Sequence, residues 1–292
     1  MTSSPTIPIR WPAEAIWQAV APMLPGFTVE VLAEVDSTNS ELLRRLKGGA
    51  GAALPPEPLL LVAERQSAGR GRLGRRWQGA RGASLMFSLG LPLLPADWSG
   101  LSLAVGVSVA ESLDPAREGP HRIGLKWPND LWLTPAGGQA ERKLAGILVE
   151  TASWEGLRYV VIGVGVNIEP LALAPAAETA PAMAAIAPGC LQELGSGIDA
   201  PQALLRIVPA LVRAAQDFEQ FGFAPFEARF AARDVLAGRP VVLSDGSEGT
   251  AQGVAGNGAL RVLTPAGMRE VSSAEVSVRP AAPSGPKDSL PC

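Results

Sequence analysis

The sequence predicts an α+β fold in which helices accompany a mostly antiparallel sheet and a small β-barrel closes the chain. Three observations predict it. Helical periodicity recurs at Trp11–Leu24 and Gln202–Phe221; four strand candidates follow one another between Ile123 and Val166 through turns rich in Gly and Pro; and the texture after Gly238 is of short strands at close spacing. The 292 residues allow one sizeable core plus a smaller companion at ~100–200 residues per domain, so a first domain over 1–235, a barrel over 236–280 and a disordered Pro/Ser-rich tail over 281–292 are expected.

The elements follow in order. Trp11, Ile16, Trp17, Val20 and Leu24 lie near one helical face, and Phe27–Val35 alternates like a strand. This opening segment is too short for the roughly 60 residues of a helix-turn-helix DNA-binding domain with its own core. Asp36-Ser37-Thr38-Asn39-Ser40-Glu41 opens the next helix, where Thr38 and Glu41 read as a capping box ahead of Leu42, Leu43 and Leu46. Leu59–Ala63 and Ser84–Leu89 suit buried strands. Leu101–Leu113 is apolar throughout; Val105, Val107 and Val109 permit a strand, but its length favours a buried helix. Ile123–Trp127, Leu131–Leu133, Leu144–Thr151 and Leu157–Val166 read as an antiparallel meander, with Pro135-Ala136-Gly137-Gly138 as one turn. The Ala/Pro-rich stretch Glu169–Gly197 reads as loop or weak helix. Gln202–Phe221 is helical, Phe223–Arg233 gives a short further helix, and Val241–Leu243, Gly249–Val254, Leu260–Leu263 and Arg269–Ser272 are the barrel strands.

Composition excludes several classes. Lys+Arg 25 against Asp+Glu 28 give a net charge of -3, so the bulk field favours neither nucleic acid nor an anionic membrane, and any strong positive field is local. Cys190 and Cys292 are isolated, which fits neither a disulfide framework nor a zinc site, and no window approaches the ~20 apolar residues of a membrane span. A reducing, cytoplasmic location is expected. The single histidine, His121, reads as a structural or surface residue rather than a general base.

The local field lies between Arg65 and Arg81, which holds six arginines and no acid. Glycines among them permit close backbone approach to an anion, so a phosphate-bearing ligand is the natural complement, although a solvated basic loop has the same composition. Gly69, Gly71 and Gly74 formally spell G-x-G-x-x-G after a strand, but no apolar helical stripe follows to aim a helix at pyrophosphate. Lys126-Trp127-Pro128-Asn129-Asp130-Leu131 sets a cation, an aromatic, an amide and a carboxylate at a strand end, with Pro128 fixing how Asn129 and Asp130 leave it. Lys143 stands where a hairpin returns, and Gly163-Val164-Gly165-Val166-Asn167 offers small residues that let a ligand, or a neighbouring strand, come close.

Taken together these segments resemble the biotin-protein ligases (biotin-[acetyl-CoA-carboxylase] ligases). Asp36-Ser37-Thr38-Asn39, the Gly69-Arg70-Gly71-Arg72-x-Gly74-Arg75 loop with Trp77, Lys126–Leu131, Arg142–Leu148, Gly163-x-Gly165-x-Asn167 and the closing barrel occur in family order over roughly Phe27–Pro280. The resemblance implies a mixed sheet flanked by helices, related to class II aminoacyl-tRNA synthetases and lipoate ligases, with an SH3-like C-terminal domain. It implies an ATP-dependent enzyme that makes biotinyl-5'-AMP and transfers biotin to a lysine of a biotin carboxyl carrier protein, with Mg2+ accompanying ATP and its protein ligands unknown. It implies that Ser37, Thr38 and Asn39 bind the ureido ring with Gln66 beside them, that Arg70, Gly71 and Arg72 close over carboxylate and phosphates, and that Lys143 contacts the reacting carboxylate and α-phosphate. Trp77, Asn129 and Asn167 would hold the adenylate and Arg75 the triphosphate, with Lys126 a further cation and Asp130 an acceptor or orienter for the incoming amine. The chain departs from the family at Leu73, where an Arg is usual, and in a longer turn from Asp130 to Lys143.

A loop that orders over a hydrolysis-prone mixed anhydride is expected to move when no ligand is bound. The rival within the class is a lipoate ligase; outside it, a nucleic-acid-binding regulator using the Arg/Gly loop. No membrane and no DNA are expected as partners, and a homodimer is compatible with the sequence.

Overall fold

In the computed structural model, which describes residues 8–48, 56–115, 120–134, 140–171, 188–195, 197–272 and 278–280, seven strands form the main sheet. They are β1 Thr28–Leu32, β2 Leu59–Ala63, β3 Ser84–Pro92, β4 Ile123–Lys126, β5 Asp130–Leu133, β6 Arg142–Trp154 and β7 Leu157–Asn167, in the spatial order β1-β2-β3-β7-β6-β5-β4. β1 and β2 pair in parallel, and the remaining neighbours are antiparallel. The sheet is therefore mixed, and its β4–β7 half is the expected meander.

Alternation sorts the central strands into two faces. On one face Leu85, Phe87 and Leu89 of β3 join Val160, Ile162, Val164 and Val166 of β7 in the principal core. That face is covered by α3 Leu101–Leu113 and α4 Ala200–Phe221, with α1 Ala13–Val20 packed outside α4. α3 is buried on nearly every side, which is why its valines read equally well as strand; thirteen residues and a sheet beneath it make it a helix. On the other face Leu42 and Leu46 of α2 Thr38–Gly48 pack with Leu61, Trp154, Tyr159 and Val161 in a smaller cluster. The rest of that second face is left for Ser88, Asn39 and the site.

Several boundaries differ from the sequence expectation. The α1 helix stops at Val20, and Met23 and Leu24 are held by turn bonds to the Val20 carbonyl. β1 ends at Leu32, and Val35 rejoins the sheet only through an isolated parallel bridge to Gln66. The Thr38–Glu41 capping box does not form. Gln66 Oε1 accepts from both Thr38 N (2.8 Å) and Thr38 Oγ1 (3.2 Å), Ser37 Oγ accepts from Ser40 N (3.4 Å), and Glu41 pairs with Arg44 and Arg45. A glutamine from another segment thus takes the donor that the helix would have capped itself. Residues 223–233 split into a 3-10 turn, Ala224–Phe226, and a one-turn helix, α5 Glu227–Ala231. Of the stretch 169–197, residues 172–187 and 196 lie outside the described residues, as do the 135–138 turn and the tail 281–292; Leu191–Leu194 forms a 3-10 turn.

The C-terminal unit is a five-stranded antiparallel sheet of β8 Pro240–Leu243, β9 Glu248–Val254, β10 Leu260–Thr264, β11 Gly267–Val271 and β12 Val278–Pro280, ordered β11-β10-β9-β8-β12. β12 has no counterpart in the sequence expectation. Val241, Leu243, Ala251, Leu260 and Val262 are buried in the same core as the main sheet. The β9–β10 turn docks on the larger unit: Trp127, wholly buried, donates Nε1–H to Gly258 O (3.1 Å), and Arg239 pairs with Glu141.

The connection between the two units carries a poorly satisfied acid. Asp234 Oδ1 accepts from Leu236 N (2.8 Å), but Oδ2 is buried without a hydrogen-bond partner, and burial pushes the carboxyl pKa above its ordinary value. The native chain therefore keeps this proton over a pH range in which the unfolded chain has lost it, and stability falls as pH rises from about 4 through that range. Asp234→Asn keeps the Oδ1 bond and removes the buried charge. It is expected to leave stability unchanged near pH 3 and to raise it by about 1 kcal/mol at pH 7, some 2–4 °C in melting temperature, as read by thermal unfolding at several pH values.

Candidate functional site

The site is built on the sheet face opposite the principal core. Asp130 of β5 pairs with Gly146 of β6, which pairs with Gly165 of β7, which pairs with Met86 of β3. One step along, Gly163 lies between Leu148 and Ser88. Gly146, Gly163 and Gly165 therefore line one face without side chains, while the intervening valines of β7 enter the core. This bareness is required. A Cβ on Gly163 would stand 2.1 Å from Asn39 Oδ1, one on Gly165 2.4 Å from Trp77 Cε2, and one on Gly146 both 3.2 Å from Lys143 Nζ and 3.3 Å from Trp77 Cζ3. The glycines thus admit an amide, an indole and a lysine to one floor.

At one end, Ser37, Thr38 and Asn39 are each less than 5% exposed. The α2 start is tied to the 65–68 segment by Val35 N to Arg65 O, Ser67 N to Val35 O and Ala68 N to Asp36 O, besides the Gln66 bonds. Ser88 Oγ lies 2.6 Å from Asn39 Oδ1 and 2.7 Å from Thr38 Oγ1. Asn39 Nδ2 donates to Leu148 O (3.1 Å) and Glu150 Oε2 (3.0 Å), so both its amide hydrogens are used. Just outside this cluster, Arg44 forks onto Asp36, which holds the Asp36 carboxyl down at about 2.

The Arg/Gly segment forms a small hairpin. Arg70 bridges Arg76, Gly71 N donates to Arg75 O (2.7 Å), and Trp77 N donates to Gly69 O (2.9 Å). Leu73 (φ 54°) and Gly74 (φ 71°) make its left-handed tip, which exposes Leu73. The loop expected to be mobile thus carries internal bonds of its own. A cleft of about 500 Å3 separates it from Leu148, Val149 and Glu150. Arg70 reaches across to Glu150, Arg75 stays at the exposed rim, and Arg72 turns back toward Asn129, with Nη1 3.5 Å from Oδ1. Burial presses the Arg72 pKa down, with Asp130 opposing and Arg75 reinforcing that shift; the guanidinium remains a cation.

At the other end, the β4–β5 turn contains the cis Trp127–Pro128 bond. Ser102 Oγ donates to Pro128 O (3.1 Å), and Asn129 is locked to β6 through Nδ2 to Ile147 O (2.8 Å) and Ile147 N to Asn129 O (3.0 Å). Lys143 Nζ sits 2.6 Å from Asp130 Oδ1. Lys126 Nζ lies over the Trp132 ring, 5.3 Å from its centroid, and Asn167 Nδ2 donates to Gly189 O (3.1 Å). His121, half-buried and 4.0 Å from Asp114, lies outside this constellation. Among the described residues no group of three His, Cys, Asp or Glu side chains is arranged to hold a metal.

The comparisons with known proteins converge. Residues 31–167 match the biotin/lipoate A/B protein ligase family and residues 237–279 match the biotin protein ligase C-terminal domain. The bifunctional ligase/repressor BirA of Escherichia coli K12 is 36% identical over 267 residues, covering 88% of this chain and 76% of that protein. The chain belongs to the biotin protein ligase family. A biotin--[acetyl-CoA-carboxylase] ligase of Paracoccus denitrificans is 34% identical over 84% of this chain and 98% of its own length. A solved biotin protein ligase from Aquifex aeolicus in complex with biotin and ATP superposes with a TM-score of 0.66 at 29% identity, covering 87% of this chain and 99% of that one.

Within this biotin protein ligase, the residues singled out by sequence gather on one face, except that Arg75 is peripheral and Asn39 and Asn167 are engaged in internal bonds. Two partners on the same face belong to no motif, Ser88 and Glu150. Strand alternation is the one signal for them, since Glu150 follows Gly146 and Leu148 on the same face. Gly165→Ala is expected to lift Trp77 from the sheet. In a 15N-resolved spectrum the Trp77 indole resonance should shift while that of Trp127, held by Gly258, stays; an unmoved Trp77 signal contradicts the close approach.

Proposed function

We propose that the chain catalyses ATP-dependent biotinylation in two steps on this face. The biotin carboxylate attacks the α-phosphorus of ATP, expelling pyrophosphate and leaving biotinyl-5'-AMP; a carrier lysine ε-amine then attacks the acyl carbon, and AMP departs with the bond electrons. The observation that supports this best is the shared glycine floor. Asn39 rests at Gly163 and Trp77 at Gly165, two residues and about 7 Å apart along β7. Lys143 stands beside Trp77 at Gly146. One extended ligand of vitamin, phosphate and base spans these stations.

The first step brings two anions together, so it needs cations already aimed where charge grows on the phosphoryl oxygens. Lys143, oriented by Asp130, is assigned to the reacting carboxylate and α-phosphate. Arg70, Gly71 and Arg72 close over them, with Arg72 backed by Asn129. Ser37, Thr38, Asn39 and Gln66 form the polar end that takes the ureido ring. Trp77 offers its ring to the adenine, Asn129 and Asn167 hold the walls around it, and Arg75 and Lys126 face the triphosphate. Mg2+ enters with ATP, held largely by phosphate oxygens and water as is usual for this ion. In the second step the Asp130 oxygen not engaged by Lys143 receives or orients the incoming amine. The acceptor is a biotin carboxyl carrier domain in the cytoplasm.

Calorimetry tests the reading: biotin binds the free protein, a subsequent ATP addition gives further heat and pyrophosphate release, and lipoate does not compete. Preference for lipoate contradicts it. Lys143→Ala is expected to slow single-turnover adenylate formation about a hundredfold through loss of one preorganised charge; a near-normal rate removes Lys143 from this role.

A further inference from the structure

Glu150 lies in none of the motifs, yet it is the point at which two separate parts of the site are joined. Its Oε2 accepts from Asn39 Nδ2 (3.0 Å) and from Arg70 Nη1 (3.1 Å), and its Oε1 accepts from Arg70 Nη2 (2.7 Å). Arg70 Nη1 also reaches Ser40 Oγ (3.3 Å). The carboxylate therefore clamps the hairpin arginine to the start of α2 across the cleft, with only 23% of its side chain exposed. A forked Arg–carboxylate pair fixes the guanidinium plane as well as its position. Three of the five Arg70 donors are occupied by Glu150 and Ser40, which leaves Nε–H and one Nη2–H for a ligand.

We infer that Glu150 is a positioning residue for biotin: it holds Arg70 and Asn39 in one fixed relation, and so sets affinity for the acid without touching the reacting atoms. The inference rests on the biotin reading above and deepens it. Among the described residues the Glu150 carboxylate accepts only from Asn39 and Arg70, so its influence falls on the acid end of the cleft. The alternative use of the same geometry is a competing latch, in which Glu150 withholds Arg70 from the incoming carboxylate. Clamping is favoured because Glu150 orders Asn39 through the same oxygen, and a latch on Arg70 has no need of that second bond.

Glu150→Gln is nearly isosteric but replaces one of the two acceptor oxygens with an amide donor, so the fork on Arg70 is broken and Arg70 and Asn39 are no longer held in one fixed relation. In the 292-residue chain, Glu150→Gln is expected to raise the biotin Kd and biotin KM at least tenfold. The ATP KM and the melting temperature should stay near the wild-type values. Glu150→Asp, which keeps the charge but retracts it by one methylene, should fall between the two. Unchanged biotin affinity in Glu150→Gln overturns the inference, and tighter biotin binding overturns it in favour of the latch. A parallel rise in the ATP KM with a lowered melting temperature also overturns it, since that marks a general structural role. Failure of the wild-type protein to bind biotin is a separate result that removes the biotin reading itself.

Discussion

The structure depends on the near absence of side chains at Gly146, Gly163 and Gly165. Contact at 2.1 Å with Asn39 or 2.4 Å with Trp77 is not a distance any Cβ tolerates, so these positions decide whether an amide and an indole can lie on the sheet at all. The valines between them are the complementary half of the same constraint. They bury the opposite face against α3 and α4, so a one-residue slip of β7 would empty the core and crowd the site together. Packing and chemistry are therefore written into one strand at alternate positions.

Around this floor the charges are distributed by distance from the reacting centre. Lys143 is tied to Asp130 and Arg72 leans on Asn129, whereas Arg75 stays at the rim. A protein of net charge -3 thus keeps a local cationic pocket by pairing each inner cation with a group on the sheet and leaving outer ones to solvent. The C-terminal unit takes part in this order, because Trp127, which leads into Pro128-Asn129-Asp130, is anchored on Gly258 of the β9–β10 turn. The turn that carries Asn129 is held from both domains.

Much of this was legible in the sequence where a single element decides the outcome. The meander, the α3 helix and the β8–β10 strands follow from period and length, and the Gly-x-Gly of β7 announced a close approach. What approaches could not be read, since Trp77 and Asn39 arrive from segments distant in the chain. The Thr38–Glu41 capping box failed for the same reason: Gln66, 28 residues away, supplies an acceptor that local pattern cannot register. Alternation along β6 puts Glu150 on the site face, but its role could not be read, because it exists only where Arg70 and Asn39 meet.

The central claim is that one ligand lies along the glycine floor with its ureido ring at Asn39 and its base at Trp77. A crystal structure of the protein with a hydrolysis-resistant biotinyl-adenylate analogue tests it most directly. The account predicts the fused ring system beside Ser37–Asn39 over Gly163, adenine on Trp77 over Gly165, and Lys143 Nζ within hydrogen-bond reach of the atoms that replace the phosphate. An analogue bound away from β7, or lying with its adenine at the α2 start, would contradict it.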